Sequence, residues 1–150
     1  MIRKARLSDL PALMHLYDHL RGGLSYVKKR PMEVTKQHKI ALTKMLKDPH
    51  SQVLVVQSRG KVVGTCTLYI LDRVYWQGKP WGILDSIVVA EDAQGQGLGS
   101  ILIRHAIKLC KKAGCVQLNL TSNTQRTRAH ISRMYIPSSR PAWKIIQFSI

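Results

Sequence analysis

Gln94-Gly95-Gln96-Gly97-Leu98-Gly99 is the stretch whose residue types and spacing bear most directly on chemistry. An apolar, strand-like segment runs before it, Trp81 to Val89, and a helix-like segment runs after it, from about Gly99 to Ala113. Glycines let a backbone turn sharply and approach a ligand closely. The first turn of a helix carries unpaired N–H groups, and its dipole favours an anion. Strand, glycine turn and helix in that order predict a cradle for a diphosphate-bearing ligand. The plainer reading is a turn that only joins strand to helix. Two other phosphate loops do not fit. A Walker loop ends in Gly-Lys-Ser/Thr, whereas Leu98-Gly99-Ser100-Ile101 has no lysine. The dinucleotide fingerprint spaces its glycines G-x-G-x-x-G, with an acidic residue about 20 positions on. Here the glycines stand at 95, 97 and 99, and no Asp or Glu follows Asp92.

Asp85 is the second chemical signal. It interrupts the apolar run Ile83-Leu84-Asp85-Ser86-Ile87-Val88-Val89. A carboxylate buried there would have a raised pKa, which suits a base working near neutral pH. The alternative puts Asp85 on the solvent side of the strand, or has it orient a water or a substrate.

The elements that must position these groups follow from periodicity. Ile2 to Arg6 reads as a short strand. Ser8 can cap a helix starting near Asp9, along which Leu10, Leu13, Met14, Tyr17 and Leu20 recur at helical spacing. A second helix is predicted after Thr35, stopped by Asp48-Pro49. Gln52 to Ser58 and Lys61 to Leu71 read as strands of a hairpin turning at Gly60. Trp81 to Val89, the loop, its helix, and a strand at Val116 to Thr121 complete the series. There is no internal repeat, linker or low-complexity segment.

Gln94, Gly97 and Gly99 match the Gln/Arg-x-x-Gly-x-Gly/Ala motif, and the chain resembles the GCN5-related N-acetyltransferase (GNAT) superfamily over roughly residues 1 to 130. The resemblance implies an α/β (α+β) fold with a mixed, mostly antiparallel sheet flanked by helices. It implies a GNAT-type acyltransferase that moves the acetyl group of acetyl-CoA, its co-substrate, to a primary amine of a small molecule or protein. Gln94, Gly95, Gln96, Gly97, Leu98, Gly99 and Ser100 would then hold the pyrophosphate. Backbone groups of Ile87, Val88 and Val89 would hold the pantetheine arm where the strand splays from its neighbour. Asp85 stands where some members, glucosamine-phosphate acetyltransferases among them, carry a carboxylate. Asn123 matches a position close to the cofactor arm, although Asn is also a good helix N-cap.

The pattern breaks after His130. Ala129 and His130 fit, but the family's Phe-Tyr and Gly-Phe are absent from Ile131-Ser132-Arg133-Met134-Tyr135-Ile136-Pro137, and the tail has no glycine. The final strands are therefore expected to be altered or missing. Tyr135 is the nearest substitute for the family's tyrosine acid, two residues late, which on a helix turns it by about 200°. Its other reading is a packing or exposed tyrosine. An incomplete sheet would leave an open edge and invite pairing with a second subunit as a homodimer. A CoA-binding module with impaired catalysis is the second functional reading.

The 150 residues are expected to form a single domain, 1–150, with 131–150 as an atypical tail. No apolar run approaches the ~20 residues of a membrane span. The first residues lack a secretory h-region, and Cys66, Cys110 and Cys115 lack metal-ligand spacing. A cytoplasmic protein with reduced thiols and no metal is expected. The net charge of +16 raises the alternative of a basic nucleic-acid-binding protein. Its clusters, such as Lys28-Lys29-Arg30 and Lys111-Lys112, carry no interleaved aromatics to stack bases, which weighs against that reading.

Overall fold

A computed structural model describes residues 1–22, 33–75, 77–123 and 143–149. The elements run β1 (Ile2–Lys4), a 3-10 turn (Leu7–Asp9), α1 (Leu10–Gly22), α2 (Lys36–Lys47), β2 (Ser51–Ser58), β3 (Lys61–Leu71) and β4 (Trp81–Val89). A second 3-10 turn (Glu91–Ala93), α3 (Leu98–Lys112), β5 (Gln117–Asn123) and β6 (Trp143–Ser149) follow. The fold is mixed α/β. Among the described residues six strands lie in the order β1-β2-β3-β4-β5-β6, antiparallel throughout except for the parallel pair β4 and β5.

The predicted elements fall close to the observed ones, with two corrections. Ser8 does not cap α1. It lies inside the 3-10 turn, whose N-cap is Arg6. The tail, expected to have its final strands altered or missing, contributes one strand. β6 runs antiparallel to β5 from Gln117↔Ser149 to Asn123↔Trp143, so the edge expected to lie open at β5 is covered. The helix expected after Asn123 lies outside the described residues.

The sheet separates two apolar layers. On one face α3 lays Leu102, Ala106 and Cys110 on Leu54, Cys66, Leu68, Leu84, Leu118 and Leu120. On the other, α1 and α2 cover Val53 and Val55 with Leu10, Leu13, Met14 and Leu42. Alternation along each strand feeds both layers at once. Thr35 caps α2 by accepting from the His38 N–H, as the predicted start requires. Cys66, Cys110 and Cys115 are buried free thiols, and burial pushes Cys66 and Cys110 up to about 12. They pack as neutral thiols. Among the described residues no group of three or more His, Cys, Asp and Glu residues could hold a metal ion, and no helix is long and apolar enough to cross a membrane.

Asp9 ties the edge strand to α1. Its carboxylate accepts from Arg3 Nη1 at 2.7 Å and Nη2 at 2.8 Å, and from the Arg6 backbone N–H at 2.7 Å. The Arg3 guanidinium holds this carboxyl below the usual carboxylate range. A lowered folded pKa contributes stability above the unfolded value of 3.8 and loses it as pH falls through the folded one. Asp9→Asn is expected to cost about 1–3 kcal/mol at neutral pH. In urea unfolding series the difference from wild type should stay constant above about pH 5 and shrink toward pH 2.

Candidate active site

β4 is held on both sides for only part of its length. Its parallel pairing with β5 covers Gly82↔Leu118, Ile83↔Asn119 and Leu84↔Leu120, and then stops. Both strands continue, β4 to Val89 and β5 to Asn123. A gap therefore opens between them from Asp85 onward. Close packing fixes its root. A Cβ on Gly82 would lie 2.5 Å from Cys110 Sγ and 2.7 Å from Leu118 Cδ1.

The strands part because β4 carries an extra residue where it turns away. Thr65 pairs with Val88 and Thr67 with Asp85, so one residue of β3 faces two of β4. Ser86 absorbs the difference with φ of 51°. A non-glycine residue at positive φ in a central strand is strained, and such bulges re-aim the chain beside functional sites.

Past the bulge the backbone alternates. The Ala90 N–H donates to Val63 O, toward β3. Val88 is therefore turned to β3 as well, and the polar groups of Ile87 and Val89 face the gap. Gln94 Nε2 donates to Val89 O at 3.2 Å from the gap side, tying the loop to the strand end. The side chains of Ile87 and Val89 meanwhile pack on the α3 layer. Backbone and side chain of one residue thus serve different partners.

The loop has the geometry that its glycines predict. Gly95 and Gly97 have φ of 78° and 73°, and Gly97 is the N-cap of α3 with no side chain to cap it. Among the described residues, nothing beyond the adjoining residues lies within 4 Å of where a Cβ would stand at either. The N–H groups of Leu98, Gly99 and Ser100, in the first helical turn, have no partner within the helix. An uncapped, exposed N-terminus on a 15-residue helix suits an anion. Gln94, Gly95, Gln96 and Ser100 are exposed beside it, and Leu98 and Gly99 are half-buried.

Asp85 does not have the expected burial. Its side chain is exposed and accepts from Ser86 Oγ at 3.1 Å. Leu84, Ile87 and Val89 pack on the α3 layer, whereas Asp85, paired with Thr67, is turned to the α1 side at the mouth of the gap. Asn123 ends β5 on the far arm of the gap. Tyr135 lies outside the described residues. Ser86 was missed by sequence reasoning, since a serine in an apolar run gives no sign of a left-handed backbone.

The profile of the acetyltransferase (GNAT) family matches residues 13–134. The chain belongs to this family. Among its relatives is the glucosamine 6-phosphate N-acetyltransferase of Trypanosoma brucei brucei, 25% identical over 122 residues, covering 81% of this chain and 79% of that one. Among solved structures, a transcriptional regulator from Bacillus halodurans C-125 is 26% identical with a TM-score of 0.76, covering 86% of this chain and 85% of that one. A Salmonella typhimurium protein solved with its cofactor acetyl-CoA shares the fold at 18% identity and a TM-score of 0.68, covering 99% of this chain and 92% of that one.

The geometry separates two GNAT-motif glycines. Gly97→Ala forces a side chain into a left-handed conformation, which costs about 1–2 kcal/mol. Gly99 is inside α3 without that constraint, and among the described residues outside its own turn a Cβ there meets Val89 Cγ2 at 3.9 Å. Gly99→Ala is expected to be neutral or to stabilise by up to about 1 kcal/mol. Thermal unfolding of the two variants should move in these different directions.

Proposed function

We propose that this GNAT family member transfers the acetyl group of acetyl-CoA to a primary amine of a small molecule or protein. The observation that carries this reading is the gap between β4 and β5, which opens at Asp85 and lies beside an uncapped α3 N-terminus. The residues present fit acetyl-CoA: an extended ligand needs unpaired strand backbone, and a pyrophosphate needs open N–H groups. Ile87 and Val89 would hold the pantetheine arm through their gap-facing backbone, with Val88 supporting them from the β3 side. Gln94, Gly95, Gln96, Gly97, Leu98, Gly99 and Ser100 would hold the pyrophosphate, and Asn123 would border the arm from β5. Bound there, acetyl-CoA supplies an activated acetyl thioester.

The chain's own groups then have defined tasks. An amine attacks only when neutral, so a group at the gap mouth must take its proton. We assign that task to Asp85, a reading its exposure at the point where the strands part supports. Gap-facing N–H groups of Ile87 and Val89 donate to charge developing on a carbonyl oxygen. Tyr135 stands as the proposed acid for the leaving thiolate. The scarcity of carboxylates disfavours polycationic acceptors and suits an amine with its own anionic group, such as an amino acid or a sugar phosphate. We also take residues 1–150 as one domain.

Calorimetric titration with acetyl-CoA at physiological salt, followed by an acceptor screen, tests the reading. Saturable one-to-one binding that Gly97→Trp weakens, together with turnover on an amine, is the expected outcome. Binding without turnover would favour a CoA-binding module, and no binding would sink both. Asp85→Asn should lower kcat/KM by roughly 10²- to 10⁴-fold while leaving acetyl-CoA binding intact. Unchanged turnover would remove Asp85 as the base.

A further inference from the structure

His15 and His19 belong to neither the gap nor the glycine loop. They stand four residues apart on α1, so they lie on one face of the helix, one turn from each other. Their Nε2 atoms are 3.3 Å apart, and the rings meet edge to face with centroids 4.8 Å apart. The other ring nitrogen of His19, Nδ1, lies 3.5 Å from Glu91 Oε1 in the turn that follows β4. His38 and His50 are placed differently. His38 Nδ1 meets Thr35, and His50 Nδ1 meets the Ile70 carbonyl.

The distance between the two Nε2 atoms is that of two ligands on one ion. Zinc binds imidazole nitrogen at about 2.0–2.1 Å with near-tetrahedral angles, which sets two such nitrogens about 3.3 Å apart. Histidines at i and i+4 of a helix have the spacing that brings both to a common ion. Without an ion the pair shares one proton, one nitrogen donating and the other accepting. His15 is exposed, so water competes for that bond and its net worth is small. A cation takes both lone pairs at once. Glu91 favours a proton on His19 Nδ1, which leaves Nε2 bare, the tautomer that a metal ligand needs. A carboxylate behind a histidine is also the outer contact that orients metal-bound imidazoles. In a chain of 24 Lys and Arg against 8 Asp and Glu, it offsets part of the repulsion that a cation meets.

We infer that His15 and His19 form a two-histidine site for a divalent transition-metal ion such as zinc, with Glu91 orienting His19 from behind. The donors set the class of ion. Imidazole nitrogen suits zinc, copper and nickel, whereas calcium and magnesium take oxygen. Two side chains are fewer than a closed structural site uses, so the ion keeps its other positions for water or an added ligand. Through Glu91 the bound ion ties α1 to the turn that leads into Gln94. The inference stands apart from the acetyl-transfer reading.

Calorimetric titration of the tag-free chain with Zn²⁺, in a buffer that does not chelate it, tests the site. One Zn²⁺ per chain is expected. His15→Gln and His19→Gln each remove one of the two ligands and keep a good helix former. Each should weaken binding by more than about tenfold, and Glu91→Gln by up to about tenfold, the lower end for an outer contact. His50→Gln should leave it unchanged. The ring signals of His15 and His19 in a proton–carbon spectrum should move as Zn²⁺ is added. Absence of saturable binding overturns the site. Binding that survives both His15→Gln and His19→Gln overturns it too, as does an equal loss in His50→Gln.

Discussion

The short parallel contact between β4 and β5 is the constraint on which the rest of the site depends. Three residue pairs hold the strands together, and then β4 turns aside. A longer pairing would satisfy the backbone of Ile87 and Val89 and leave nothing for a ligand to bind. A shorter one would leave two halves of the sheet poorly joined. The contact is anchored where Gly82 lets Cys110 and Leu118 come close, and it ends where Ser86 takes up an extra residue. The strain at Ser86 is offset by the packed layers on both faces of the sheet.

From that opening the two functions of the site diverge to opposite faces. The glycine loop and α3 lie on the face that buries Leu84 and Leu102, and they present N–H groups. Asp85, paired with Thr67, lies on the face under α1 and presents a carboxylate. Donors for an anion and the Asp85 carboxylate are thus separated by one sheet. The gap is where the two meet. The alternation of strand side chains makes this arrangement possible without any long loop.

Much of this was legible in the chain because the signals were local. Glycine spacing, hydrophobic periods and the Thr35 cap placed nearly every element between Ile2 and Asn123. Legibility failed where a property depended on a neighbour. Asp85 looked buried because its sequence neighbours are apolar, yet Leu84, Ile87 and Val89 face the α3 layer and it does not. Ser86 carries a left-handed backbone that only the register with β3 requires. The tail lost the family pattern, yet Trp143–Ser149 pairs with β5 along its whole length through the backbone.

Amide hydrogen exchange, compared with and without acetyl-CoA, tests the central claim most directly because it reads the gap residue by residue. The account predicts slowed exchange at Ile87 and Val89 and at Leu98, Gly99 and Ser100, with Gly82 to Leu84 unchanged because β5 already pairs them. Protection absent from those five amides, or confined to other elements, would contradict it.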